Sequence, residues 1–356
     1  MPNVVSEQKK NPPKLRIAVV GIGSMGQHHL RINSTLKNIE LVAVVDIDSD
    51  RAREAKWRYG CEAYTHIDDL IGKVDAVSIA VPSSLHADIG LFFLQNGIHC
   101  LIEKPLATTE ADCLKLIEAA ESKGLVLAVG HIEQFNPAVQ ELKRILSESD
   151  RVGKIHGIDV ERMNGTVNRI LDVDVILDLM VHDLDIVLSL ISAPILSLSA
   201  EASYLSNQTK KANADKTNAD YVSALLSFSN GVVANIKASK ITQKKIRQMS
   251  LTTDMGYISL NYTAQEILIY KQVSPEAHNL SFQHYDCDEI IERVSIRARE
   301  PLVLELENFI NAITTGVAFH VSPRQALRAL KVVWKIQQHL SNQEMKPTKT
   351  PLLEPL

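Results

Sequence analysis

The first structured stretch of the chain joins two apolar runs through a glycine-rich turn. Residues 15–20 (LRIAVV) lead into residues 21–26 (GIGSMG), a helix-compatible segment follows, and the second apolar run, residues 41–45, ends at Asp46. This order predicts a β-strand, a glycine turn, a helix and a parallel β-strand. In such a unit the first glycine allows the tight turn, the second lets backbone approach a pyrophosphate, and the third lets helix and strand pack closely.

The same segment predicts a binding site for a dinucleotide. A diphosphate would sit at the helix N-terminus, where unpaired N–H groups and the helix dipole favour an anion. Asp46 lies where an acid binds the ribose hydroxyls, and its carboxylate would repel a 2′-phosphate, so NAD is favoured over NADP even though Arg51 is close. The alternative is an ordinary glycine turn, which the strand, the helix and the acid together disfavour. The predicted cofactor residues here are Gly21, Gly23, Ser24, Met25, Gly26 and Asp46.

Length and composition indicate two globular domains and exclude several partners. The chain has 356 residues, with 45% apolar and 22% charged side chains and a net charge of −4. This charge gives no electrostatic basis for binding nucleic acid or an anionic membrane. The first 14 residues contain no apolar signal segment, and the four cysteines are dispersed without the spacing of metal ligands. We therefore expect a cytoplasmic protein with reduced thiols and no metal site.

The order of apolar and helical segments predicts an α/β protein with two different domains. Strands alternate with helices over residues 15–130, which predicts a doubly wound parallel sheet of the Rossmann type. Residues 131–340 are β-rich, with helices near 137–147, 174–191, 302–315 and 323–340, which predicts an α+β domain with an open, mainly antiparallel sheet. Residues 1–14 are expected to form a disordered arm, and residues 341–356 an extended tail.

Three loops follow predicted parallel strands, at the sheet edge where ligands bind. They are residues 81–86, 103–107 and 130–137. Lys104 is the sharpest candidate, because an ammonium group there can donate a hydrogen bond to a substrate hydroxyl and stabilise a developing alkoxide. The alternative is a surface lysine that is salt-bridged to Glu103. His86 either lines the nicotinamide pocket or packs at the start of a helix.

The helix predicted over residues 174–191 carries one ionisable stripe. Asp174, Asp178, His182 and Asp185 fall within an arc of about 80° on a helix that is otherwise mainly apolar. Asp178 and His182 suit an orienting acid and a base, because imidazole titrates near neutrality and can accept a hydroxyl proton. The alternative is a solvated face with an acidic N-terminal cap, which best explains Asp174.

These motifs together resemble the Gfo/Idh/MocA oxidoreductases, the group of glucose–fructose oxidoreductase and inositol dehydrogenase. The likeness rests on the glycine turn with Asp46, on Glu103-Lys104-Pro105 and on Asp178-xxx-His182, and it covers residues 15 to about 340. It implies that Lys104 is the catalytic lysine, that His182 is the acid/base, and that Asp178 binds substrate or orients His182. It also places Pro82, His86 and Glu103 at the cofactor, and it implies homodimers or homotetramers formed through the second sheet.

A narrower likeness links residues 130–143 and 172–187 to the UDP-N-acetylglucosamine 3-dehydrogenases, which oxidise a sugar C3 hydroxyl. It implies a sugar or nucleotide-sugar substrate. Gln134 stands where the commoner pattern has Arg, and residues 174–177 replace a glycine-rich lead. The candidate substrate ligands are Gln134, Asn136, Arg162, Arg169 and Asp178.

Two other functions fit the same sequence. One is an NAD(H)-bound sensor or scaffold without turnover, which the intact set of Lys104, Asp178 and His182 disfavours. The other is another reductase of the same family, of the inositol, dihydrodiol or bile-pigment type. Asp46 and the aromatic content of 5% disfavour the last two of these types.

Overall fold

A computed structural model provides the structure of the protein and describes residues 14–165, 174–204, 219–272 and 289–344. Three sequence expectations lie outside these residues: the arm before Lys14, a substrate contact by Arg169, and the tail beyond Glu344. Among the described helices, none has the length and the apolar character that a bilayer crossing needs.

The first sheet has six strands, all parallel, in the order β3-β2-β1-β4-β5-β6. The strands are β1 (Leu15–Val20), β2 (Ile39–Val45), β3 (Glu62–Tyr64), β4 (Ala76–Ile79), β5 (His99–Glu103) and β6 (Leu127–Gly130). The apolar runs of β4, β5 and β6 are buried almost throughout because helices cover both faces of the sheet. The doubly wound parallel sheet expected from the sequence is confirmed.

Helices alternate with these strands, and capping residues mark where a helix begins and where it ends. They are α1 (Ser24–Asn33), α2 (Ser49–Tyr59), α3 (His86–Gln95) and α4 (Glu110–Lys123). Helix α4 shows both kinds of signal. The hydroxyl of Thr109 accepts a hydrogen bond from the amide of Asp112, and Gly124 ends the helix with φ of 63°.

The second sheet has eight strands in the order β14-β13-β12-β11-β7-β10-β9-β8. They are β7 (Ile155–Met163), β8 (Ile195–Ser203), β9 (Tyr221–Phe228), β10 (Val233–Ser239), β11 (Ile246–Thr253), β12 (Gly256–Asn261), β13 (Glu266–Gln272) and β14 (Glu289–Arg293). β7 and β10 pair in parallel, and the other neighbours pair antiparallel. The mainly antiparallel sheet expected for the second half is confirmed.

The remaining helices are α5 (Pro137–Ser147), α6 (Ser149–Val152), α7 (Val181–Leu190), α8 (Pro301–Thr315) and α9 (Pro323–Glu344). The sequence predicted one α-helix over 174–191, but a π-helical turn, Ile176–Met180, precedes α7. Asp174 caps this turn as expected, with its carboxylate accepting from the amide of Ile176 at 3.1 Å. Helix α9 also runs to Glu344, so residues 341–344 are helical rather than part of the expected tail.

The chain forms two compact units. The first contains the described residues up to Gly130 together with Glu305–Ser322, and the second contains His131–Leu304 and the chain from Pro323 onward. The sequence-based division at residue 130 remains a prediction about domains. The structure adds that the chain returns to the first unit for most of helix α8.

Candidate active site

The glycine turn between β1 and α1 leaves room for a phosphate. Gly21 has φ of +83°, a conformation that favours glycine, and a Cβ atom at Gly26 would lie 1.9 Å from the carbonyl oxygen of Gly21. A Cβ at Gly23 would meet nothing within 4 Å, and no side chain caps helix α1. Ser24 is exposed and Met25 half-buried at the same helix end. This open, uncapped helix N-terminus fits the diphosphate of a dinucleotide.

The two glycines should respond differently to the same substitution. We expect Gly26→Ala to lower the free energy of unfolding by about 1–3 kcal/mol, because the new methyl group overlaps backbone. Gly23→Ala should leave the melting temperature unchanged and weaken NADH binding, because its methyl group enters only the open space. Thermal melts and NADH fluorescence titrations of both variants test this. Equal loss of stability in the two variants would contradict it.

Asp46 closes the glycine turn from the end of β2. Its carboxylate accepts the amide of Ile22 at 2.7 Å and the amide of Asp48 at 2.9 Å. The guanidinium of Arg51 lies 3.2 Å and 3.3 Å from the two carboxylate oxygens of Asp46. The acid predicted to bind ribose is therefore ion-paired with Arg51, a nearby cation that could meet a 2′-phosphate.

The loop after β4 is tied to the loop after β5 by His86. Pro82 is exposed, whereas His86 is buried, with Nδ1 2.7 Å from the carbonyl oxygen of Pro105 and Nε2 2.9 Å from that of Val81. Burial lowers the pKa of His86, although the two carbonyl groups act in the opposite direction. These contacts favour a role for His86 in holding the two loops together.

Glu103 ends β5 in a buried hydrogen-bonded contact that the sequence did not reveal. Its Oε1 lies 2.9 Å from Nε2 of His29, which is fully buried on helix α1. Burial alone would raise the pKa of Glu103, but the hydrogen bond from His29, with the charges of His29, Lys104 and His86, holds that pKa below its usual value. Lys104 follows directly and is half-buried at the strand end.

The structure also explains why His29 meets Glu103. Val19, Ser78 and Leu101 are in register across β1, β4 and β5, so their side chains share one face, the one that Leu30 of α1 covers. Side chains two residues apart on a strand point to the same side, which places Glu103 under the same helix.

In the second unit, Asp178 lies in the π-helical turn and His182 in the first turn of α7. Both side chains are half-buried. The stripe expected along this helix is not a single exposed face, because Asp185 is buried and its carboxylate accepts hydrogen bonds from Gln134 and Gln325 at 2.5 Å and 3.1 Å. π-helical turns within helices occur often at functional sites.

Arg162 is fully buried on β7 between two acids. It forms a two-point ion pair with Asp183 at 2.6 Å and 2.9 Å and a third contact with Glu133 at 2.8 Å. Burial alone would lower the pKa of Arg162, but the charges of Asp183 and Glu133 raise it above its usual value. These contacts favour a structural role for Arg162 over the substrate contact expected from the sequence.

Gln134 and Asn136 are likewise buried in internal contacts. Gln134 donates to Asp185 and accepts from Lys143 at 2.5 Å. Asn136 caps helix α5 by accepting the amide of Ala138 at 3.0 Å and donates to a backbone carbonyl at 3.0 Å. Through these contacts both side chains stabilise this part of the second unit.

Arg247 is a cation near Asp178 that the sequence analysis did not select. It lies at the start of β11, opposite Arg162 in the sheet, and its side chain is 21% exposed. One terminal nitrogen donates to Asn164 at 3.2 Å. Its Nε is buried without a hydrogen-bond partner among the described residues. Burial, followed by the charge of Arg162, lowers the pKa of Arg247, while carboxylates that include Asp178 oppose this.

Arg162 and Arg247 should differ in how much they contribute to the free energy of unfolding. Arg162→Met leaves Asp183 buried without its counter-charge, so we expect the free energy of unfolding to fall by about 3–5 kcal/mol. Arg247→Met removes one hydrogen bond and a 3.6 Å ion pair with Glu133, and it should cost about 1–2 kcal/mol. Urea unfolding of both variants measures the difference. A mild effect at Arg162 would show that its ion pairs are not structural.

Neither set of candidate residues indicates a metal ion. Across the described parts of the chain, no group of three or more His, Cys, Asp or Glu side chains could hold one. The first unit combines a dinucleotide-type glycine turn, an acid at the end of β2 and a lysine at the end of β5. A fold and a site of this kind define the class of NAD-dependent oxidoreductases.

Family comparisons agree with this class. Residues 15–131 match the oxidoreductase family with an NAD-binding Rossmann fold, GFO_IDH_MocA, and residues 139–259 match the GFO/IDH/MocA C-terminal domain. The chain belongs to this oxidoreductase family, and its cofactor is NAD.

Individual relatives extend over most of the chain. It is 34% identical to UDP-N-acetylglucosamine 3-dehydrogenase of Acidithiobacillus ferrooxidans over 84% of this chain and 88% of that protein. A solved structure of that enzyme from the same organism matches with a TM-score of 0.81, covering 93% and 99% of the two chains at 29% identity. Inositol 2-dehydrogenase of Salmonella paratyphi B is 33% identical, over 48% of this chain and 53% of that protein.

Proposed function

We propose that the protein is an NAD-dependent dehydrogenase that oxidises a secondary hydroxyl group of a nucleotide sugar, at C3 of a substrate such as UDP-N-acetylglucosamine. The observation that carries this proposal is the likeness to a UDP-N-acetylglucosamine 3-dehydrogenase, which extends through both units. In sequence, inositol 2-dehydrogenase of Salmonella paratyphi B matches about half of the chain at comparable identity, so a cyclitol is the second candidate.

In this proposal each unit supplies one part of the chemistry. The glycine turn holds the diphosphate and Asp46 the ribose, while Glu103 and Lys104 lie at the nicotinamide end. NAD, when bound, supplies the hydride acceptor. His182 accepts the proton of the substrate hydroxyl, Asp178 orients His182, and Lys104 donates a hydrogen bond that stabilises the oxygen as negative charge develops there.

The test is turnover of the purified full chain with NAD on a panel of UDP-sugars, free sugars and cyclitols, followed by the absorbance of the reduced nicotinamide. UDP-N-acetylglucosamine deuterated at C3 should transfer its label to the nicotinamide and react more slowly than the unlabelled sugar. A label that stays on the sugar would reject C3 as the reacting carbon. NADH binding without turnover on any member of the panel would favour the sensor or scaffold alternative.

We further propose a homodimer or homotetramer in the cytoplasm, assembled through the open face of the second sheet. Leu225, Val233 and Tyr257 are exposed by 44%, 40% and 44% on strands whose opposite face is buried. Cys61, Cys100 and Cys113 are buried thiols, which suits a reducing compartment. Light scattering should give two or four chain masses, and a single chain mass would reject this assembly.

A further inference from the structure

Glu305 is an acidic side chain in the interior of the first unit. It lies on helix α8 and is 0% exposed, and neither of its carboxyl oxygens has a hydrogen-bond partner among the described residues. An ionised carboxylate in such a place is too costly to keep without a counter-charge. A buried polar group without a partner also requires a physical explanation. A proton on Glu305 removes the charge and with it the largest part of that cost.

Among the described residues, the charge that acts on Glu305 is the negative charge of Glu103. Burial raises the pKa of Glu305 well above its usual value, and the charge of Glu103 raises it further. Glu103 has favourable neighbours: Nε2 of His29 lies 2.9 Å away, and the positive charge of Lys104 acts on it. Two neighbouring buried carboxyl groups do not both ionise near neutrality, so Glu103 keeps the charge and Glu305 the proton.

The carboxylate of Glu103 has little freedom to move. A Cβ atom built on Gly130 of β6 would lie 3.0 Å from Cδ and 3.1 Å from Oε1 of Glu103. The carboxylate thus lies close against the backbone of β6 while it holds His29. A neutral acid leaves the charge of such a carboxylate unopposed, whereas an ionised one would repel it.

We propose that Glu305 is a buried, protonated acid whose ionisation would add a second negative charge to the interior that holds Glu103. The protonation state follows from the first unit alone. Its effect on the cofactor rests on the proposed function, in which Glu103 and Lys104 lie at the nicotinamide end of the cofactor.

The first test is stability against pH, which needs no substrate. An ordinary glutamate ionises near pH 4.3 in the unfolded chain, and Glu305 ionises at a higher pH in the folded one. The unfolded state therefore loses the proton first, and stability is lost as pH rises from about 4 toward the pKa of folded Glu305. Glu305→Gln should melt at a higher temperature than the wild type at pH 8, with the difference vanishing toward pH 4.

Glu307→Gln is the matched control, because Glu307 is exposed two residues further on the same helix. It should not change the pH dependence of the melting temperature. Infrared spectra at pH 7.5 should show the carbonyl band of a protonated carboxyl in the wild type and in Glu307→Gln, and should lack it in Glu305→Gln. A Glu305→Gln variant that melts below the wild type at pH 8, or a band that it does not remove, would overturn the protonated state.

The second test measures how Glu305 affects the binding of NAD and NADH. When Glu305 ionises at high pH, a second negative charge favours the cationic ring of NAD over the neutral ring of NADH. The ratio of the dissociation constants of NADH and NAD should therefore rise with pH in the wild type and stay flat in Glu305→Gln. A ratio that stays flat in the wild type would overturn the effect of Glu305 on the cofactor. Absent turnover in the wild type would reject only the proposed function.

Discussion

Replacing Lys104 by methionine, or His182 by asparagine, is expected to lower turnover by about 10²–10⁴-fold, the usual contribution of a positioned acid or base. Methionine keeps the length of the lysine side chain but cannot donate to the substrate oxygen. Asparagine keeps a polar group at His182 but cannot accept and release a proton near neutrality. NADH binding should weaken by no more than about tenfold, because one hydrogen bond contributes about 1 kcal/mol.

Two matched controls separate these roles from general effects of charge. Lys115 is an exposed lysine on α4, and His156 is an exposed histidine of the second unit. Lys115→Met and His156→Asn should keep wild-type turnover. Added imidazole should restore part of the activity of His182→Asn, because it replaces the missing base. Turnover within about tenfold of the wild type in Lys104→Met or His182→Asn would remove that residue from the catalytic set.

Strong periodic segments made the fold predictable from the sequence. β1 and α5 have the bounds that their sequence patterns indicated. Two strands, β3 and β14, were not expected, since β3 is a three-residue edge strand and β14 begins next to a polar stretch. The π-helical turn also has no clear sequence signature, because its hydrogen bonds depend on how the start of α7 packs.

The candidate site was predictable only as a set of motifs. The glycine turn, Asp46, Lys104 and His182 follow from residue type and spacing along the chain. The partners of Glu103 and Arg162 do not, because His29 and Asp183 meet them only through sheet order and helix packing. An arginine and an acid look the same in a sequence whether they face a ligand or each other.

Asp46→Ser is expected to shift the preference for NADH over NADPH by about 10²–10³-fold toward NADPH. The wild-type carboxylate would oppose a 2′-phosphate at a cost of several kcal/mol, and each 1.4 kcal/mol is a factor of ten. The substitution also releases Arg51, which lies 3.2 Å from Asp46 and is 44% exposed. A free guanidinium can bind a phosphate through two parallel hydrogen bonds. The ratio of dissociation constants, measured by nicotinamide fluorescence, tests this without any sugar substrate.

Further variants distinguish the effect of releasing Arg51 from the effect of removing the Asp46 carboxylate. In Asp46→Ser/Arg51→Gln the gain in NADPH binding should disappear while the loss of NADH binding remains. Asp50 and Arg53 form an exposed ion pair at 3.0 Å on the same helix. Asp50→Ser releases Arg53 and should not change the preference for NADH over NADPH. Asp46→Asn retains an acceptor for the amide of Ile22, so it should keep the glycine turn intact. If Asp46→Ser weakened both cofactors equally, Asp46 would act only by holding the turn, and the choice of NAD would have to come from elsewhere in the first unit.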